Sequence, residues 1–349
     1  MPDLQSQVET PPGSSPIVDS LQIYSTGIQL CTLLRIGVIG AGSMGSQHLR
    51  VYRDLSSRCE VVAVAEKDEG RRDSQKKRTG GEFYSDYHEM LAKSKLDAVS
   101  IALPNELHCS VAIDCLKNGV DALVEKPIAL SLKDARKMIS VARQNERILM
   151  VGHLERFNPA VQFIRKYVAD GKLGEPYYLS SRRLGFYPTR FDGEGRFGVS
   201  LDLAIHDVDV MRFILGRRPR VIHSEKMKRL SPRDDYVCLT LRFGKTIGIL
   251  EASWLSPYKI RQLIINGAKG LAMVDYLAQT VDIVSDYKEK PEFAGYKDFL
   301  DFEYEITKPV IRKAEPLRLE LNHFLDCVSN RTTPSSDGPN GLENLKLVL

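Results

Sequence analysis

The chain has 349 residues, 43% hydrophobic and 27% charged, with 49 Lys+Arg against 45 Asp+Glu for a net charge of +4. That balance describes an ordinary globular protein of about two domains. It excludes the concentrated basic stripe of a nucleic-acid binder, and no apolar run reaches the roughly 18 residues of a membrane span. The densest basic run, "RRDSQKKR" (Arg71–Arg78), is broken by Asp73 and reads as a solvated helix face. The six cysteines, at 31, 59, 109, 115, 238 and 327, form no C-x-x-C pair. With no secretory signal, free thiols in a reducing, cytoplasmic setting are expected.

Residues 1–33, containing "VETPPGSSP", are expected to form a disordered tail or to follow a start placed too far upstream. From Leu34 onward strand and helix signals alternate. "LLRIGVIGA", "CEVVAVAE", "LDAVSIALP", "DALVEKP" and "ILMVGH" read as strands. "MGSQHLRVYRDL", "RRDSQKKRTG", "ELHCSVAIDCLKNG" and "SLKDARKMISVARQN" read as helices, with Gly119 closing one and Ser131 capping another. Nearly all-apolar strands alternating with helices imply a parallel sheet covered on both faces, hence a doubly wound α/β domain over 34–152.

Beyond it the pattern changes. "PAVQFIRKYVADGKLG" and "VSLDLAIHDVDVMRFILG" are predicted helices, ending at Gly171 and Gly216. Longer β runs follow, with turns at "FGKT" and "NGAKG". The reading is an α+β domain over 153–310 with an open, mostly antiparallel sheet. Residues 311–349, including "LRLELNHFLDCVSN", are read as helices packing back on the first domain.

"RIGVIGAGSMGSQHLRVY" sets Gly40-x-Gly42-x-x-Gly45 between a strand and a helix. In a βαβ unit Gly40 would make the tight turn, Gly42 would let the backbone approach a pyrophosphate, and Gly45 would let helix and strand pack closely. Ser43 and Met44 open a helix whose N–H groups and dipole attract phosphate. Glu66, about 20 residues beyond, is placed to accept hydrogen bonds from the adenosine ribose. Its carboxylate favours NAD, while Lys67, Arg71 and Arg72 keep NADP open.

Oxidising an alcohol with a nicotinamide requires a group to take the hydroxyl proton and a donor to steady the oxygen. Glu125-Lys126-Pro127 ends an apolar strand at the sheet edge where ligands bind in open α/β folds; Lys126 either reaches a ligand or snorkels to solvent. Asp202 and His206, spaced i, i+4, share a helix face, as an acid–base pair or as a surface ion pair. Asp209 lies near that face and Asp207 is read as a surface charge. A metal site is not indicated. Arg156 and Asn158, at the domain junction, are candidates for substrate contact, and Leu103, Pro104 and Asn105 for the nicotinamide side. His153, His108 and His48 read as packing or capping residues.

Taken together, Gly40-Ala-Gly-Ser-Met-Gly45, Glu125-Lys-Pro127 and Asp202-x-x-x-His206 resemble the Gfo/Idh/MocA oxidoreductases, from about Arg35 onward. The resemblance implies a Rossmann domain, an open-faced second domain that often forms a homodimer or homotetramer, Lys126 as active-site lysine, His206 as acid/base, and Asp202 as its partner or a substrate contact. Many members carry glycine where this chain has Ala204, which bears on the shape of the sugar pocket. "VGHLERFNPAV" and "LDLAIHDVDVMRFI" are similar to the branch that oxidises the 3-hydroxyl of UDP-N-acetylglucosamine. Arg156, Arg182, Arg183, Arg190 and Arg196 around these segments suit a diphosphate. Free polyols or sugars, and a catalytically silent dinucleotide sensor, are the competing readings.

Overall fold

Two sheets organise the molecule. The computed structural model describes residues 33–188, 197–288 and 303–349, all within one compact unit. The tail of residues 1–32, Arg190 and Arg196 lie outside the described residues.

The first sheet contains β1 (Leu34–Ile39), β2 (Cys59–Ala65), β3 (Glu82–Tyr84), β4 (Ala98–Ile101), β5 (Asp121–Glu125) and β6 (Leu149–Gly152). Their order is β3-β2-β1-β4-β5-β6, every neighbouring pair parallel. Helices α1 (Ser43–Asp54), α2 (Glu69–Lys76), α3 (Tyr87–Lys93), α4 (His108–Lys117) and α5 (Leu132–Gln144) make the crossovers. β4 and β5 are buried along their whole length, as a sheet covered on both faces requires. The order reverses at β1 and β4, so a crevice opens beyond their C-terminal ends. Ser131 caps α5 by accepting the Asp134 N–H at 3.1 Å. α2 has no buried residue and is the solvated helix expected of the basic run. β3 and α3, with no strong periodicity, were not expected.

The second domain begins with α6 (Pro159–Ala169) and β7 (Pro176–Phe186). The single helix expected over 199–216 is a wide π-type turn, Ser200–Ala204, running into α7 (Ile205–Leu215). β8 (Arg220–Met227), β9 (Tyr236–Phe243), β10 (Thr246–Ser253), β11 (Leu255–Gly267), β12 (Gly270–Asp275), β13 (Thr280–Lys288) and β14 (Glu303–Thr307) complete an eight-stranded sheet in the order β14-β13-β12-β11-β7-β10-β9-β8. All pairs are antiparallel except β10 with β7. One face packs α6 and α7 through Leu179, Leu241, Leu250, Leu263, Val208 and Met211. The other carries Tyr178, Ile249 and Met273 into solvent.

The last helices, α8 (Pro316–Asn330) and α9 (Gly338–Val348), return to the first domain. Leu317, Leu321, Phe324 and Leu325 share a core with Ile36, Leu49 and Tyr52, and Leu345 packs with Val124 and Val151.

Candidate active site

The glycine stretch lies at the end of β1. Gly40 has φ +90°, and a Cβ there would meet the Ala102 carbonyl oxygen at 2.4 Å. A Cβ on Gly45 would meet the Gly40 carbonyl oxygen at 1.8 Å, so helix and turn touch backbone to backbone. At Gly42 the nearest atom to such a Cβ is 3.8 Å away, on Arg71. Gly42 opens α1 with no side-chain cap and no acidic residue in the first turn. The helix N-terminus is thus bare toward a cavity of about 1160 Å³. Gly40, Gly42, Ser43, Met44, Glu66, Leu103, Pro104, Asn105, Glu125 and Lys126 all line that cavity, and Gly45 sits just beneath it. This is the surface a pyrophosphate needs: apposed amides, a positive helix end and no side chain in the way.

Glu66 lines the cavity just beyond β2, almost buried. Its carboxylate accepts the Ala41 N–H at 2.8 Å and the Asp68 N–H at 2.9 Å, which fixes it at the rim of the glycine turn. Arg71 approaches it at 3.7 Å. The far end of the cavity is lined by Tyr87 and His88, whose rings lie 4.0 Å apart. The sequence reading missed these two because they open the unexpected α3.

At the other end of the cavity the two domains meet. Lys126 follows β5, its Nζ donating to the Asp202 carbonyl oxygen at 2.7 Å and to its carboxylate at 2.9 Å. The Lys126–Pro127 peptide is cis. His108 ties this turn to the β4 loop, its ring nitrogens 2.9 Å from the Pro127 carbonyl oxygen and 3.0 Å from that of Leu103. Beneath it, His48 Nε2 lies 2.9 Å from Glu125 Oε1. Burial opposes charge on Glu125, but His48 and Lys126 outweigh it and hold the carboxyl below its ordinary range. His48 is therefore more than a packing residue.

His206 is buried on the first turn of α7, with Nδ1 unpartnered. Burial, then the charges of Lys126 and Arg183, hold its pKa well below the ordinary 6.5. The imidazole is accordingly neutral at physiological pH. Asp202 is thus ion-paired with Lys126, and it sits on the π-type turn, where the repeat widens from i+4 toward i+5 before α7 brings in His206.

A sequence profile described as "Oxidoreductase family, NAD-binding Rossmann fold" (Gfo/Idh/MocA) matches residues 34–153, and one for the Gfo/Idh/MocA C-terminal domain matches 161–273. The chain belongs to the Gfo/Idh/MocA oxidoreductase family. It is similar to the scyllo-inositol 2-dehydrogenase (NAD(+)) of Bacillus subtilis, 29% identical over 86% of this chain and 88% of the relative. It is similar also to the UDP-N-acetylglucosamine 3-dehydrogenase of Acidithiobacillus ferrooxidans, 28% identical over 90% and 95%. A solved structure of the latter enzyme superposes with a TM-score of 0.77 at 25% identity, covering 90% of this chain and 95% of that one. The WlbA dehydrogenase of Bordetella pertussis, solved with NADH and UDP-GlcNAcA, shares the fold at 20% identity, with a TM-score of 0.76 over 90% and 92%. The protein is thus an NAD-binding oxidoreductase.

Within this Gfo/Idh/MocA fold the remaining candidates go elsewhere. Arg156 is buried and grips Asp209 with two nitrogens, at 2.7 and 2.6 Å, away from the cofactor cavity. Asn158 caps α6, accepting the Ala160 N–H at 3.1 Å and donating to the Tyr276 carbonyl at 3.0 Å. Arg182 points to the open face of the second sheet and pairs with Glu251 at 2.9 Å. Arg156 and Asn158 are held in buried structural contacts, whereas Arg182 is more than half exposed in a surface ion pair. Asp207 is no surface charge: it is 1% exposed and ion-paired with Arg183, which also holds Glu155 at 2.9 Å. His153 is a junction residue as expected, 3.1 Å from Asn344 Nδ2. Arg261, on β11, was missed. Burial and the neighbouring Arg183 lower its pKa to about 10, and its charge couples to Asp202 and His206. Nothing in its β run marks it; only the fold brings it here.

Proposed function

We propose that the protein oxidises a secondary hydroxyl of a sugar to a ketone with NAD, and that the substrate is the 3-hydroxyl of UDP-N-acetylglucosamine or a closely related nucleotide sugar. The observation that carries this reading is the contact of Lys126 with Asp202 in the lining of a cavity that also holds the dinucleotide cradle, with His206 close enough to feel the Lys126 charge.

NAD, when bound, supplies the hydride acceptor. The bare start of α1 and Glu66 hold its pyrophosphate and ribose, and Leu103, Pro104 and Asn105 flank the nicotinamide. The Lys126 ammonium donates to the substrate oxygen and steadies it as negative charge develops. Neutral His206 takes the hydroxyl proton. Asp202 acts on Lys126, fixing where its ammonium points. A silent sensor on this fold would have no use for Lys126 and Asp202 lining the cofactor cavity with a neutral histidine near that lysine.

The nucleotide-sugar reading is supported by the extent of the likeness to the Acidithiobacillus enzyme, which spans 95% of that relative. A free polyol is the second reading, favoured by the similarity to the Bacillus inositol dehydrogenase. The test is a substrate panel with NAD, UDP-N-acetylglucosamine beside scyllo- and myo-inositol and glucose, with a ketone trap to draw the equilibrium. Reduction of NAD by the nucleotide sugar alone supports the first reading; turnover of a free polyol or sugar alone replaces it with the second. The uncovered face of the second sheet, with Tyr178, Ile249 and Met273 exposed, supports a homodimer or homotetramer, tested by light scattering.

A further inference from the structure

A second cleft, of about 490 Å³, opens where the end of α7 meets the start of α9. Five arginines line it, Arg156, Arg165, Arg212, Arg217 and Arg218, against two carboxylates, Asp337 and Glu343. Most charges here have partners. Arg156 is held by Asp209 and Arg217 by Glu175 at 3.2 Å. Asp337 caps α9, accepting the Asn340 N–H at 2.9 Å, and Glu343 pairs with Lys346.

Three guanidiniums remain without a carboxylate within 4.0 Å among the described residues: Arg165, Arg212 and Arg218. Arg165 lies over the Phe213 ring at 4.1 Å, and Arg156 over the same ring at 5.0 Å. Arg212 is the telling one. It is 9% exposed, donates to the Asn340 carbonyl at 3.2 Å and to Asn344, and leaves Nε unpartnered. Asp209, a turn earlier on α7, is taken by Arg156 and Asn344. A buried guanidinium whose hydrogen bonds go to neutral partners is costly, and burial pulls its pKa down, the nearby Asp209 and Glu343 carboxylates offsetting this only in part against Arg156 and Arg218. An anion between Arg212 and the rim arginines would supply the compensating charge in the bidentate geometry that guanidiniums offer phosphate.

We propose that this cleft binds a phosphate or pyrophosphate group, free or carried on a nucleotide, at a site separate from the catalytic cavity, with Arg212 as its buried anchor and Arg165 and Arg218 as its rim. The inference does not depend on which sugar is oxidised.

The test is calorimetric titration of the full-length protein at constant ionic strength with inorganic phosphate, inorganic pyrophosphate and UDP, each with and without saturating NAD. The comparison is the double variant Arg165→Gln/Arg218→Gln, whose two positions are exposed, with unfolding curves recorded for both proteins. The expected result is saturable binding that NAD does not displace and that weakens at least about tenfold in the double variant, a loss of about 1.4 kcal/mol. Equal affinity for pyrophosphate and UDP would identify a free anion as the ligand, and tighter UDP binding a nucleotide. Absence of binding, displacement by NAD, or unchanged affinity in a folded double variant would each overturn the proposal.

Discussion

His48 Nε2 and Glu125 Oε1 meet at 2.9 Å beneath the turn that presents Lys126, both side chains buried. The pair anchors the turn that carries Lys126 from below. Replacing His48 by Ala leaves a buried carboxylate with its main partner removed, which costs about 3–5 kcal/mol. Urea denaturation should show that loss, and His48→Gln, which keeps a donor, should recover part of it. Wild-type stability in His48→Ala would remove the anchoring role.

Lys126 and His206 are proposed to share the chemistry, so each should be separately indispensable. Lys126→Ala and His206→Ala should lower turnover by about a hundredfold or more while NAD affinity stays near wild type. Stopped-flow hydride transfer with the accepted substrate measures this. Near-wild-type rates in either variant would reassign that residue.

The glycine turn separates two functions that sequence motifs usually merge. Gly45→Ala drives a methyl group against the Gly40 carbonyl and should destabilise the fold. Gly42→Ala meets nothing closer than 3.8 Å, so the fold should tolerate it while the added methyl obstructs the phosphates. Thermal unfolding and NAD titration together check the contrast. If both variants lose stability equally, the open helix start is not the phosphate contact.

Two buried histidines set an acid limit. Burial, with Arg156, Arg212 and Lys126 outweighing Asp209, lowers the His153 pKa to about 4, and His206 is held well below 6.5. The unfolded chain titrates near 6.5, so below that pH it binds more protons than the folded one. Stability is therefore full above about pH 6.5 and falls on acidification, by up to about 1.4 kcal/mol per pH unit per histidine. Denaturation midpoints at pH 7.5, 6.0 and 5.0 should show the slope, and His153→Gln should flatten it. An unchanged slope in that variant would exclude His153 as a source.

The fold was legible wherever apolar runs and helix spacing alternated strongly, which covers both domains from Leu34 onward. β3 and α3 escaped because three-residue strands carry no period. At the site, Lys126 was legible from its place at a strand end, yet its contact with Asp202 was not. A π-type turn and an α-helix look alike in hydrophobic pattern but rotate side chains differently. Asp207 was misjudged and the Arg156–Asp209 pair went unseen for one reason: the partners lie tens of residues apart, and pairing between distant charges leaves no local mark. Arg261 was invisible on the same ground.

The return of α8 and α9 to the first domain has a consequence for biosynthesis. Ile36, Leu49 and Tyr52 leave the ribosome early, but the side chains that cover them, Leu317, Leu321 and Phe324, are made nearly three hundred residues later. The cofactor half cannot seal its own core as it emerges, although domains commonly fold in order of synthesis. It waits, apolar flank open, until the substrate half has been threaded out. A message truncated anywhere before Pro316 therefore yields a nucleotide cradle with an exposed hydrophobic side, a natural target for chaperones and proteases.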